Sequence, residues 1–197
     1  DYAGNLFFVP PDGARVLVRL GGDRSPEGLQ FEFVTREQCF APRVLGRHFI
    51  HLKDLHFEHA ANGNGVPQFG MVSSSRGRFW ILEGCSFRWA GTAGADIGDQ
   101  CWWRSPPGRS YDNQAQNGEL DFQMIVRRCT FADNGTAGLW CYGSRSILVE
   151  DCVFERNNRL GRNTWEEAGI KCHGVKNSVF RNNLFRDNDS YGLWLDG

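Results

Sequence analysis

Apolar residues in this chain recur in pairs spaced two apart, and the pairs themselves recur in triplets. Seven and five residues before Phe57, Phe87, Phe131 and Phe154 lie Ile50 and Leu52, Trp80 and Leu82, Met124 and Val126, and Ile147 and Val149. A polar corner of two residues follows (Lys53-Asp54, Glu83-Gly84, Arg127-Arg128, Glu150-Asp151). A second pair then ends on the Phe: Leu55 and Phe57, Cys85 and Phe87, Cys129 and Phe131, Cys152 and Phe154. After a turn, a glycine leads a third pair: Met71 and Ser73, Ala95 and Ile97, Leu139 and Cys141, Ile170 and Cys172, Leu193 and Leu195. Alternation of period two marks a strand with one buried face.

The same triplet returns in the same order, with Phe185 opening a fifth repeat and a shortest spacing of 23 residues from Phe131 to Phe154. A period of this size means stacked supersecondary units. Three short strands per unit predict an all-β right-handed parallel β-helix of about five coils. An antiparallel sandwich would need hairpin turns between the strands and leaves the recurring Phe unexplained. Residues 1–47 are less regular and read as a β-rich lead-in segment, with the β-helix over 48–197. The chain has no initiator Met and stops just after a strand. The helix is therefore expected to continue beyond residue 197.

Extra length appears at three places: between Phe57 and Gly70, between Phe154 and Gly169, and between Gly94 and Phe131. Insertions in a solenoid gather on one, often binding, face. All three flank the glycine-led strand and are expected to wall in its outer surface.

Composition changes this picture little. A net charge of −1 over 197 residues argues against nucleic-acid or acidic-membrane partners. No apolar run is long enough to span a membrane. The seven cysteines lack a Cys-x-x-Cys spacing, and five of them (Cys85, Cys129, Cys141, Cys152 and Cys172) fall on inward strand positions, so these read as buried small hydrophobes rather than disulfides or ligands.

Candidate chemistry lies on the outward positions of the glycine-led strand. One column reads Val72, Asp96, Trp140, Lys171, Trp194, and the other Ser74, Gly98, Tyr142, His173, Asp196. With coils about 4.8 Å apart, Trp140, Lys171 and Trp194 fall within roughly 10 Å along the axis. Aromatic faces beside carboxylates and a cation suit a sugar ring. The expected substrate-binding residues are Trp140, Trp194, Tyr142, Lys171 and Asp96, joined by Trp102 and Trp103 of the long insertion. The competing expectation is that loops simply cover the tryptophans.

Glycoside hydrolysis uses two carboxyl groups about 5 Å apart for retention or roughly 6.5–9.5 Å apart for inversion. Asp196 is the best-placed strand carboxylate, with Glu166 or Glu167 leaning in from the loop one coil below and His173 beside it. The alternative for the two glutamates is a solvated acidic loop. No cofactor is expected. Calcium is the alternative, with Asp99, Asp112, Glu119 and Asp121 as candidate ligands that show no regular spacing.

The stretches Val66-Pro67-Gln68-Phe69-Gly70, Phe79-Trp80-Ile81-Leu82-Glu83-Gly84-Cys85, Trp165-Glu166-Glu167-Ala168-Gly169-Ile170-Lys171 and Gly192-Leu193-Trp194-Leu195-Asp196 resemble bacterial β-helix proteins of the pectin-lyase-like superfamily. Within it the resemblance is to glycoside hydrolase families 141 and 120. The resemblance implies a secreted or periplasmic protein acting on plant or microbial polysaccharide through Asp/Glu catalysis. Three functions stay open: a glycoside hydrolase, a polysaccharide lyase with Lys171 or an Arg as base on a uronate-containing glycan, and a non-catalytic glycan-binding β-helix. The sequence does not fix the oligomeric state.

Overall fold

The computed structural model describes residues 5–63, 69–99, 121–143, 145–163 and 166–196. The chain separates into two compact units, Asp1–Phe33 and Val34–Gly197. In the first unit Leu6–Phe8 pairs antiparallel with Leu17–Arg19. The intervening turn closes through a hydrogen bond from Gly13 N to Pro10 O of 2.9 Å.

The second unit is the expected right-handed parallel β-helix, built from three parallel sheets of five strands. The first sheet holds His51–Lys53, Ile81–Glu83, Ile125–Arg127, Leu148–Glu150 and Val179–Arg181. The second holds His56–Ala60, Ser86–Ala90, Thr130–Ala132, Val153–Glu155 and Leu184–Arg186. The third holds Val72–Ser73, Ala93–Gly98, Ala137–Tyr142, Ala168–His173 and Tyr191–Asp196. Stacking begins upstream of residue 48, since Cys39 N donates to Met71 O and Gly46 N to Ser75 O, both at 2.8 Å.

Each inward position forms a row along the axis. Phe57, Phe87, Phe131, Phe154 and Phe185 are in register. Their rings stack with centroids 5.4, 4.6, 4.8 and 5.2 Å apart. Cys85, Cys129 and Cys152 make a parallel row of buried free thiols. Leu55, in the row of Cys85, and Leu195, in the row of Cys172, are 43% and 62% exposed. The repeat glycine follows from close approach: a Cβ on Gly138 would lie 2.6 Å from Gly169 O.

The corners form three columns of left-handed residues. Phe49, Phe79, Gln123, Ser146 and Asn177 precede the first sheet. Asp54, Gly84, Arg128, Asp151 and Asn182 separate the first sheet from the second. His59, Trp89, Asp133, Arg156 and Asp187 end the second. Their φ values run from 46° to 63°, a region that costs most side chains strain. An asparagine row compensates inside the third corner. Asn134 Nδ2 donates to Asn157 Oδ1, and Asn157 Nδ2 to Asn188 Oδ1, both at 2.9 Å. These amides, with that of Asn188, also donate to Phe87 O, Phe131 O and Phe154 O, tying the corner to the second sheet.

One expected register is corrected. Val72 pairs with Ala95, and Ser73 with Asp96, so the first coil is offset by one residue from the glycine-based alignment. Val72 therefore joins the core, while Ser73 takes the outward place expected for Val72. A one-residue slip exchanges the two faces of a strand. The cause is local: Gly70 N bonds the Asp96 side chain at 2.6 Å rather than occupying the rung of Gly94.

Candidate functional site

On the third sheet, the outward columns run Ser73, Asp96, Trp140, Lys171, Trp194 and Gly98, Tyr142, His173, Asp196. Register thus brings the expected residues together, but it does not leave them all open to solvent. Trp140, Tyr142, Asp96 and Lys171 are buried, which corrects the expectation of an exposed aromatic ladder at the first two. Glu166 lies over them. Its carbonyl accepts the Trp140 Nε1 hydrogen at 3.1 Å, and its carboxylate accepts the Tyr142 hydroxyl at 2.8 Å. Trp140 and Tyr142 form a small apolar cluster with Ala93 and Ala137, separate from the main core. Glu166, expected as a catalytic carboxylate, is instead turned inward as a bridge between loop and sheet, with its backbone at φ 75°.

Asp96 is sealed beneath the first coil. Gly70 N donates to its Oδ1 at 2.6 Å and Ser73 Oγ to its Oδ2 at 2.9 Å. Burial pushes its carboxyl up to about 7, and the two hydrogen bonds offset only part of that. So placed, it fastens one coil to the next and has no open face for a sugar.

The other end of the column is different. The side chain of Lys171 is 1% exposed, and its Nζ donates to Asp196 Oδ2 at 2.7 Å across a carboxylate that is 44% exposed. The same ammonium sits 3.4 Å from the centroid of the Trp194 ring. Trp194 packs in turn against Tyr191, with centroids 5.0 Å apart. A buried cation thus holds both an accessible carboxylate and an aromatic face. His173 lies in register between Tyr142 and Asp196.

A cleft of about 570 Å³ opens beside this assembly, lined by Arg162, Asn163, Glu167, Asp189, Ser190, Tyr191 and Trp194 among others. Of the two loop glutamates, Glu167 is the one that lines it. Ser190 Oγ donates to Glu167 O at 2.7 Å, tying the loop to the next coil. Asp189 and Tyr191 are additions that the sequence reading missed. A signal existed: Ala168 pairs with Tyr191, so Asp189 and Ser190 are the next-coil counterparts of Glu166 and Glu167.

Trp102 and Trp103 lie outside the described residues, as do Val66-Pro67-Gln68, Trp165, Asp112 and Glu119. Among the described residues no group of three or more His, Cys, Asp or Glu is arranged to hold a metal ion.

Comparison with curated proteins gave no match. Among solved structures, XylC in complex with xylose is similar, with a TM-score of 0.66 and 24% identity over 81% of this chain. The similarity spans 28% of the XylC chain. The family model for the right-handed β-helix region matches residues 71–197, and the chain belongs to that family.

Proposed function

We propose that this chain is part of a secreted or periplasmic glycoside hydrolase of plant or microbial polysaccharide, of the kind found in families 141 and 120. One observation carries the reading: the Lys171–Asp196 pair lies against Trp194, and Trp194 lines a cleft together with Glu167 and Asp189. The tryptophan and Tyr191 offer faces for sugar C–H bonds, and the surrounding polar groups offer hydrogen bonds to hydroxyls. XylC carries xylose in its solved complex, which is consistent with a sugar ligand here.

In this reading Asp196 is the carboxylate that faces the anomeric carbon, oriented by the Lys171 ammonium. Glu167 supplies or removes the proton at the glycosidic oxygen. The lyase alternative loses support, because Lys171 is buried and paired where a proton-abstracting base would have to reach the substrate. A purely binding role retains Trp194 and Tyr191 but gives no reason for a buried cation to position an accessible carboxylate.

The test is product analysis by mass spectrometry after incubating a glycan panel with the full-length parent protein. Fragments that have gained water support hydrolysis, and Asp196→Asn should then lower turnover by about 10²–10⁴-fold while sugar binding persists. Unsaturated fragments, or undiminished turnover in that variant, would overturn the assignment.

A further inference from the structure

A second cleft lies where the chain passes from the third sheet of one coil to the first sheet of the next. It encloses about 230 Å³ and is lined by Leu45, Gly46, His48, Arg76, Arg78 and Phe122. None of these residues is acidic, and three carry N–H donors. Arg76 is held by Asp99, Nε to Oδ1 at 2.6 Å, with the aspartate almost fully buried. The Arg78 guanidinium lies over the Phe122 ring, 5.8 Å from its centroid, and forms no ion pair with a carboxylate among the described residues. Arg78 N donates to His48 Nδ1 at 3.0 Å. Because that ring nitrogen accepts, His48 presents its Nε2 hydrogen as a donor.

We propose that this cleft is an oxyanion-binding site, in which Arg78 and His48 Nε2 hold a sulfate, phosphate or carboxylate group. The planar guanidinium fork matches two oxygens of such a group, and bonds of this kind are roughly twice as strong as neutral ones. Arg76, fixed by Asp99, adds positive potential at the wall without being the anchor. Phe122 is buried and forms a rigid floor that keeps the Arg78 plane in one orientation. The volume is below the roughly 300–1,000 Å³ of sites that take a whole drug-sized ligand, so it suits one anionic substituent or a free ion. The site stands apart from the hydrolase reading. Neither Asp196 nor Glu167 lines it.

The experiment is calorimetric titration of the protein with sodium sulfate, sodium phosphate and sodium glucuronate, each at ionic strength matched with chloride. At least one should bind with one-to-one stoichiometry. Arg78→Gln should weaken that binding about tenfold or more, the size of effect expected for a lost charged hydrogen bond. His48→Gln should weaken it by a smaller factor, and Lys53→Gln, away from the cleft, should leave it unchanged. Binding of sulfate or phosphate alone identifies a free-ion site, and binding of glucuronate as well identifies a saccharide substituent. Both outcomes support the proposal. Absence of binding by all three, or wild-type affinity in both Arg78→Gln and His48→Gln, overturns it. Thermal melting of each variant separates lost binding from lost folding, and should Arg78→Gln not fold, His48→Gln decides.

Discussion

Trp140 and Trp194 occupy the same outward column of the same sheet, two rungs apart, yet they live in different surroundings. Trp140 is 0% exposed under Glu166, whereas Trp194 lines an open cleft. Strand register decides which way a side chain points, and loops decide what it meets there. On a solenoid those two decisions are independent, because every coil contacts only its neighbours. The outward face of the third sheet is consequently buried at Asp96, Trp140 and Lys171 and opens on a cleft at Trp194.

The comparison can be broken most directly at Trp140. Trp140→Ala should cost about 3–5 kcal/mol in chemical denaturation, the range for emptying a buried aromatic position. A cost below 1 kcal/mol would mean that the loop does not seal it. Asp96 tests the sealed half by pH. Its folded value near 7 lies above the ordinary 3.8 of an aspartate, so the folded state binds the proton more tightly than the unfolded one. Stability should therefore be highest below about pH 4 as far as this group is concerned, and fall as pH rises toward 7. The slope cannot exceed about 1.4 kcal/mol per pH unit. Asp96→Asn, which preserves an acceptor for Gly70 N, should flatten that slope, and an unaltered profile would refute the assignment.

The open half responds differently. Asp196→Ala should destabilise by about 2–3 kcal/mol, since it strips a buried ammonium of its carboxylate, while Asp196→Asn keeps an acceptor and should cost less. Equal melting of the two variants would show that Lys171 does not depend on this partner. Smallest of all is the effect of Trp194→Ala on folding. It should weaken sugar binding by about 1–3 kcal/mol yet move stability far less than Trp140→Ala does. A reversed order for the two tryptophans would collapse the distinction between the halves.

The inward rows were legible because they obey a strict period. Phe57 through Phe185 and the three stacked cysteines sit where spacing alone puts them. The register of Val72 was not legible, because a side-chain acceptor on Asp96 displaces the Gly70 rung, and no alternation reports such a bond. The outward columns were read correctly from Asp96 onward, but burial of Trp140 and Tyr142 depends on how the loop before Gly169 folds back. That fold-back rests on Glu166 in a left-handed conformation, which its residue type does not announce. Asp189 and Tyr191 were not legible because the turn from Phe185 to Gly192 has the minimal seven-residue length, with no insertion to mark it.

The stack of phenylalanine rings also has a mechanical consequence. With all lateral bonding between successive coils, a load applied along the axis meets its resistance one rung at a time. Each coil of 23 residues, such as that from Phe131 to Phe154, would add about 70–80 Å of slack when it peels away. Under tension the molecule should lengthen as a ratchet of unequal steps, the shortest from the 23 residues between Phe131 and Phe154 and the longest from the 44 between Phe87 and Phe131, where the insertion lies.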